Sequence, residues 1–140
     1  MKDIESILDS KYNDYHPVVE LPDKYTILDL SINPWIPSKT DFSIGKYDEV
    51  RPDMYVSPIF AGIRNIHVGI DVNGPIGTPC MAFDNGIVSH FGYNPEPGDY
   101  GYVLITKHQI SGLDIWALYG HLSSESVKGK VVGQSVKKGE

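Results

Sequence analysis

The most informative chemical pattern in this 140-residue sequence is a histidine and an aspartate four positions apart, His67 and Asp71. Imidazole and carboxylate are both good zinc ligands. On a helix, positions four apart face one ion, but the intervening Val68, Gly69 and Ile70 favour a strand. A flat strand separates such a pair by about 13 Å, too far for ligands about 2 Å from one metal. The pattern therefore predicts a shared site only if the backbone bends between the two residues, which Gly69 permits.

A third candidate, His121, lies near the end of an apolar run, with Gly120 beside it. A glycine at that place lets another group approach the backbone closely. A strand-end histidine is more often a satisfied structural residue, as is an edge histidine followed by a turn-capping aspartate. Residue type and spacing alone therefore leave a functional and a structural interpretation open for these candidates.

The remaining histidines are interpreted as structural. His90 alternates with Val88 and fills the opposite face of a strand, whereas His108 ends a strand before a turn and is expected to be solvated. His16 precedes a proline in the N-terminal segment.

The elements that must position these residues are short strands. From about Tyr55 onward, short apolar and β-branched runs alternate with turn signals rich in Gly, Pro and Asn. This alternation of short apolar runs and turns predicts an all-β fold, an antiparallel β-sandwich or barrel-like domain with a groove. Asn85, within Asp-Asn-Gly, predicts a tight hairpin tip, and Gly112 predicts a second one.

The N-terminal third lacks this alternation of short apolar runs and turn signals. We interpret residues 1–50 as an extension that wraps on a domain formed by residues 51–140. Residues 2–12 predict one short helix with Asp3 as its N-cap, and residues 25–31 predict a strand.

Composition restricts the partners and the location. The formal net charge of −6 argues against a nucleic-acid partner, which requires a basic face. The first residues lack the basic and apolar regions of a secretion signal, and no run approaches the roughly 20 apolar residues of a transmembrane segment. These features predict a cytoplasmic protein or a module of a larger polypeptide. The single cysteine, Cys80, excludes an internal disulfide.

Taken in chain order, the motifs resemble the lysostaphin/LytM-type zinc metallopeptidases, also called duplicated hybrid motif domains. The matching segments are HVGIDVNGPIGTPCMAFDNGIVSHFGYNPEPGDYGYVLITKH, WALYGHLS and VVGQSVKKGE. Together they span roughly residues 65–140. Each motif alone is unspecific, but their order and short spacing are typical of that family. The resemblance implies a compact antiparallel β-domain with a narrow groove over its main sheet.

The resemblance also implies roles for individual residues. His67 and Asp71 fall on two zinc ligands, and His121 falls on the catalytic histidine of the groove. The implied cofactor is zinc, and the implied substrate is a peptide bond in peptidoglycan cross-links or similar glycine-rich peptides. Zinc with three protein ligands and one open position activates water for attack on a carbonyl, and a nearby histidine moves a proton.

Two departures from the family pattern lower the expected activity. The third zinc ligand of the family comes from a His-x-His segment after the VKKG turn, and the 140 residues contain no His-x-His. We therefore expect an incomplete and inactive site, with an unpaired sheet edge that favours self-association. The family's tyrosine before HxxxD is also missing from residues 58–65, where Arg64 is the candidate cationic substitute.

Two alternatives from other classes remain. One is a non-catalytic peptidase-like module that binds or regulates a partner. The other is a lipoyl-type or biotinyl-type carrier, suggested by VGQSVKKGE. A carrier needs a modifiable lysine at a hairpin tip, and the tip predicted at Asn85 has none.

Overall fold

Strands carry most of the regular structure in the computed structural model, which describes residues 3–60 and 62–140. The strands are β1 Thr26–Leu28, β2 Ser43–Gly45, β3 Glu49–Val50, β4 Ile66–His67, β5 Asp71–Asn73, β6 Gly86–Asn94, β7 Gly101–Ile110, β8 Leu113–Leu122 and β9 Ser135–Val136. The described helices are short: α1 Ile4–Asp9, α2 Ser124–Val127, and 3-10 turns at Tyr12–Asp14 and Pro58–Phe60. The all-β prediction is confirmed.

The chain divides into two compact units. The first contains the described residues up to Val18, Pro79–Pro95 and Asp99–Glu140, and the second contains Val19–Thr78 and Glu96–Gly98. The predicted extension of residues 1–50 is thus shared between the units, and the predicted boundary at residue 50 stays a prediction.

The main sheet of the first unit is antiparallel, in the order β8-β7-β6-β9. Alternating apolar side chains pack on one face of it, where Val88 is fully buried against Ala82 and Val136. β7 and β8 meet at a two-residue turn in which Ser111 and Gly112 both have positive φ, as a tight hairpin requires. The hairpin tip predicted at Gly112 is therefore confirmed.

The hairpin predicted at Asn85 is wrong. Residues 80–83, all of them described, lie outside the strands, and β6 begins only at Gly86. Their backbone groups bond instead to the two ends of the chain: Phe83 accepts from the N–H of His16, and Ala82 donates to Glu140. β9 instead pairs with Gly86 and Ile87 at the start of β6, where a hairpin partner would have paired.

The N-terminal predictions are confirmed in part. Asp3 is the N-cap of α1, because its Oδ1 accepts the backbone N–H of Ser6 at 2.7 Å. The helix is shorter than the predicted 2–12, of which residue 2 lies outside the described residues. β1 falls within the predicted strand 25–31, and it pairs in parallel with β2, which the sequence did not indicate.

Candidate metal centre

An interrupted antiparallel ladder in the second unit positions His67 and Asp71. β2 pairs with β5, so that Gly45 lies opposite Asp71, and β3 pairs with β4, so that Glu49 lies opposite His67. The register is the same on both sides of the interruption, where residues 46–48 and 68–70 leave the strands. The bend predicted between the two residues is therefore confirmed, and it is centred on Gly69.

The bend brings the two side chains together. Nε2 of His67 lies 3.4 Å from Oδ1 of Asp71, and both side chains are partly exposed, at 22% and 34%. Two ligand atoms bound to one tetrahedral zinc at about 2.0–2.1 Å are about 3.3–3.4 Å apart. The contact is longer than an ordinary N–H···O hydrogen bond of about 2.7–3.2 Å. The spacing therefore fits two ligands that face one ion better than it fits a hydrogen-bonded pair.

Gly69 also makes room for the imidazole. A Cβ at this position would lie 3.3 Å from Cε1 and 3.5 Å from Nε2 of His67. The other ring nitrogen, Nδ1, is buried and has no hydrogen-bond partner within the part of the chain that the structure describes. Ligand histidines usually donate from that nitrogen to a carboxylate, a carbonyl or a water.

A buried cation holds the aspartate. Arg51 is only 2% exposed, and its Nη1 lies 2.7 Å from Oδ2 of Asp71. Its Nε donates to Oε2 of Glu49 at 3.0 Å. Glu49 is itself buried and accepts the backbone N–H of Leu30 at 3.0 Å. The aspartate therefore ends a chain of charge-assisted hydrogen bonds that begins at the backbone.

The protonation of this network follows from its hydrogen bonds. Burial alone raises the pKa of Glu49, but the Leu30 N–H, Arg51 and Lys46 outweigh it, and the pKa is lowered. Burial lowers the pKa of Arg51, but its hydrogen bonds to Asp71 and Glu49 outweigh it and raise the pKa. Both groups are thus held in their charged forms.

Sequence reasoning missed Glu49 and Arg51. Two residues two apart on an extended segment point to the same side, and this is the one feature of their spacing that connects them. Charged residues in such a segment are usually solvated, however, and nothing in their spacing marks them as buried.

His121 lies on β8, in the first unit. The pairing of β7 with β8 slips between Tyr102 and Leu104, so Gly120 and His121 form a bulge. His121 has a φ of 56°, and its backbone N–H donates to the carbonyl of Tyr100 at 2.7 Å. The imidazole is exposed. A left-handed conformation is uncommon in a non-glycine residue and is often associated with functional sites.

The packing at Gly120 agrees with the close approach expected there. A Cβ on this glycine would lie 2.9 Å from the ring of Tyr100. The prediction that His121 shares a groove with His67 and Asp71 stays a prediction, because they belong to different units.

The prediction that His108 is solvated is wrong. It is 1% exposed, with Nδ1 2.9 Å from the carbonyl of Asn85 and Nε2 2.6 Å from the hydroxyl of Thr106. β7 continues past it to Ile110, which places it inside the sheet. His90 is exposed and contacts the hydroxyl of Ser89.

The described residues supply no complete metal site. Across residues 3–60 and 62–140, no group of three or more His, Cys, Asp or Glu side chains is arranged to hold a metal. His67 and Asp71 therefore stand as a pair of candidate ligands.

Comparison with known families identifies the class of protein. The profile of Peptidase family M23 matches residues 65–140, which is more than half of the chain. The chain belongs to peptidase family M23. Searches of curated proteins and of solved structures found no match. Membership supports a hydrolase of the metallopeptidase class acting on peptides, since members of this family are generally metal-dependent. No described helix is long and apolar enough to cross a membrane.

Proposed function

We propose that this chain is a zinc-dependent metalloendopeptidase domain in which His67 and Asp71 supply two of the metal ligands. The single observation that supports this assignment best is the 3.4 Å between Nε2 of His67 and Oδ1 of Asp71. The proposed substrate is a peptide bond in peptidoglycan cross-links or in a related glycine-rich peptide, in keeping with the lysostaphin/LytM resemblance.

The residues divide the chemistry between them. Bound zinc supplies Lewis acidity that activates water and polarises the scissile carbonyl. His67 and Asp71 would hold the ion, and Arg51 lies against the carboxylate oxygen of Asp71 that faces away from His67. His121, whose imidazole is exposed, is the proposed group that moves a proton during hydrolysis.

Ligand number sets the expected activity of the 140-residue chain. A catalytic zinc normally has three protein ligands and an open position. The family motif supplies only His67 and Asp71 among these residues. His121 recruited as a third ligand would no longer be free to move a proton. We therefore propose weak zinc binding and little or no turnover for this chain.

The test combines a zinc titration with an activity assay. Zinc uptake by the purified chain is measured in competition with a chromophoric chelator, and hydrolysis of a pentaglycine peptide is followed alongside. We expect weak binding that His67→Ala abolishes, and no turnover. His90→Ala, which removes an exposed histidine of β6, is the matched control and is expected to bind as the wild type does.

Two outcomes contradict the proposal. Equal zinc binding by the wild type and His67→Ala would contradict the assignment of His67 as a metal ligand. Tight stoichiometric binding, with turnover that His121→Ala abolishes, would show that the site is complete and that the ligand count is wrong.

A second candidate function is a non-catalytic peptidase-like module that binds or regulates a partner. The two-ligand site among the described residues favours it. The affinity for pentaglycine, measured with and without zinc, discriminates the two: a binding module retains its peptide affinity after zinc is removed, whereas a metallopeptidase site loses productive binding with the metal.

A further inference from the structure

We propose that Arg51 is the positioning residue of the metal centre: it fixes Oδ2 of Asp71 and so leaves Oδ1 to face the metal beside His67. The proposal rests on the proposed function, in which His67 and Asp71 bind the ion. Arg51 lies outside the HxxxD motif, and it acts only through Asp71.

The guanidinium is fixed by two carboxylates at different nitrogens. Nε donates to Oε2 of Glu49 at 3.0 Å, and Nη1 donates to Oδ2 of Asp71 at 2.7 Å. Because a guanidinium is planar, the contact with Glu49 also sets the direction in which Nη1 points. Glu49 is anchored in turn by the backbone N–H of Leu30, so the orientation of Arg51 is tied to the main chain.

The sheet provides the space that this contact requires. Gly45 lies opposite Asp71 in the β2–β5 pair. A Cβ on Gly45 would lie 2.8 Å from Nη2 of Arg51 and 2.8 Å from Oδ2 of Asp71. A side chain there would collide with both the guanidinium and the carboxylate, so the absence of a side chain is part of the arrangement.

The two oxygens of Asp71 consequently have separate partners. Oδ2 is held by Arg51 at 2.7 Å, and Oδ1 lies 3.4 Å from Nε2 of His67. A carboxylate free to rotate would spend part of its time with neither oxygen placed for a shared ion. Groups that orient a metal ligand in this way typically contribute about 10- to 100-fold to metal affinity.

The decisive variant is Arg51→Lys, which keeps the positive charge but lacks the planar fork that donates from Nε to Glu49 and from Nη1 to Asp71 in fixed directions. We expect its zinc affinity, measured by competition with a chelator, to fall by about 10- to 100-fold. Lys46→Arg is the matched control, because Lys46 contacts the same Glu49 from a partly exposed position. We expect the control to bind zinc as the wild type does.

The outcomes distinguish failure of the positioning role of Arg51 from failure of the proposed metal centre at His67 and Asp71. If Asp71→Asn binds zinc as the wild type does, Asp71 is not a metal ligand, and the positioning role of Arg51 is overturned as well. If Asp71→Asn weakens binding but Arg51→Lys does not, the metal centre stands and the positioning role is overturned.

A measurement on the wild type covers the case in which Arg51→Lys does not fold. The Arg51 guanidinium protons are followed by NMR as zinc is added. We expect slowly exchanging Nε–H and Nη1–H signals that persist at saturating zinc, since Oδ2 keeps its partner. Loss of the hydrogen-bonded Nη1–H signal on zinc binding would show that the metal displaces Arg51, and would overturn the proposal.

Discussion

Backbone conformation and hydrogen bonding separate the histidines of the main sheet into different roles. At His108, Nδ1–H donates to the Asn85 carbonyl, Nε2 lies in hydrogen-bonding contact with the Thr106 hydroxyl, and the ring packs on Phe83 with centroids 4.3 Å apart. At His121, the ring is exposed and the backbone is left-handed. Both ring nitrogens of His108 are bonded within the sheet, which is a structural role. His121 has a strained backbone conformation, and its imidazole is accessible from solvent.

The structural role of His108 is testable by truncation. His108→Ala removes a buried side chain and leaves the Asn85 carbonyl and the Thr106 hydroxyl without their partner. We expect a loss of about 3 kcal/mol in the free energy of unfolding, measured by urea denaturation. The exposed His90→Ala, on the neighbouring strand, is expected to change it by less than about 0.5 kcal/mol. Equal effects of the two substitutions would contradict this assignment.

The strain at His121 is testable with a matched pair. Both His121→Gly and His121→Ala remove the imidazole, but only glycine adopts a φ of 56° at no steric cost. We expect the glycine variant to be more stable than the alanine variant by about 1 kcal/mol in thermal or urea unfolding. If alanine were as stable as glycine, the backbone of this bulge would not be left-handed.

At the scale of elements, paired bends and hairpins decide where side chains meet. The ladder that joins β2–β3 to β4–β5 keeps its register on both sides of the bend. Residues four apart on a flat strand lie about 13 Å apart along the backbone, whereas here the side-chain atoms Nε2 of His67 and Oδ1 of Asp71 lie 3.4 Å apart. The β7–β8 hairpin is secured differently, by charged side chains near its tip. Lys107 lies 2.7 Å from Asp114 and its amine lies over the ring of Trp116.

This hairpin contact predicts a pH dependence of stability. The Lys107 amine, together with Gln109, lowers the pKa of Asp114 below its usual 3.8. A lowered folded pKa gives stability that is present above the unfolded value and is lost as the pH falls through the folded value. We expect Asp114→Asn to be less stable than the wild type at neutral pH, with the difference vanishing at acidic pH below 3.8.

The comparison is made by thermal unfolding across the acidic range. Asp23→Asn, at an exposed acid outside the hairpin, serves as the control for the removal of a surface charge. A gap between Asp114→Asn and the wild type that persists unchanged at acidic pH would contradict the ion pair.

Much of this element structure could be predicted, and the exceptions have physical causes. Local turn and capping patterns identified the hairpin at Gly112 and the N-cap at Asp3. The hairpin at Asn85 failed because residues 80–83 bond to the chain termini, which are distant in sequence. The pairing of His67 with Asp71 required a bend that Gly69 allowed but did not demand. The contribution of Arg51 could not be predicted, because its burial depends on Glu49, Gly45 and Asp71 meeting across separate strands.

At the scale of the whole molecule, membership of peptidase family M23 and the all-β architecture agree. The four-stranded sheet of the first unit ends, among the described residues, at the ten-residue strand β8. Its exposed apolar side chains include Trp116 and Leu118, which are 54% and 47% exposed. A long end strand with such side chains is a template for pairing between copies.

We therefore expect the 140-residue chain to self-associate through β8 in a concentration-dependent way. Leu118→Lys places a charge on this strand and is expected to reduce association, measured by sedimentation equilibrium. Val56→Lys is the matched control, because Val56 is 81% exposed and lies outside the strands. Association that is unaffected by Leu118→Lys would exclude β8 as the contact.

The most direct test of the metal centre is NMR of the His67 imidazole nitrogens during a zinc titration. We expect the Nε2 resonance of His67 to shift along a single-site binding curve that saturates only in excess zinc, while the resonances of the exposed His90 stay in place. In Asp71→Asn the same shift is expected to need at least about 10-fold more zinc, because one of two ligands is lost. A His67 resonance that does not move with zinc, or that moves equally in Asp71→Asn, would contradict the assignment of His67 and Asp71 as metal ligands.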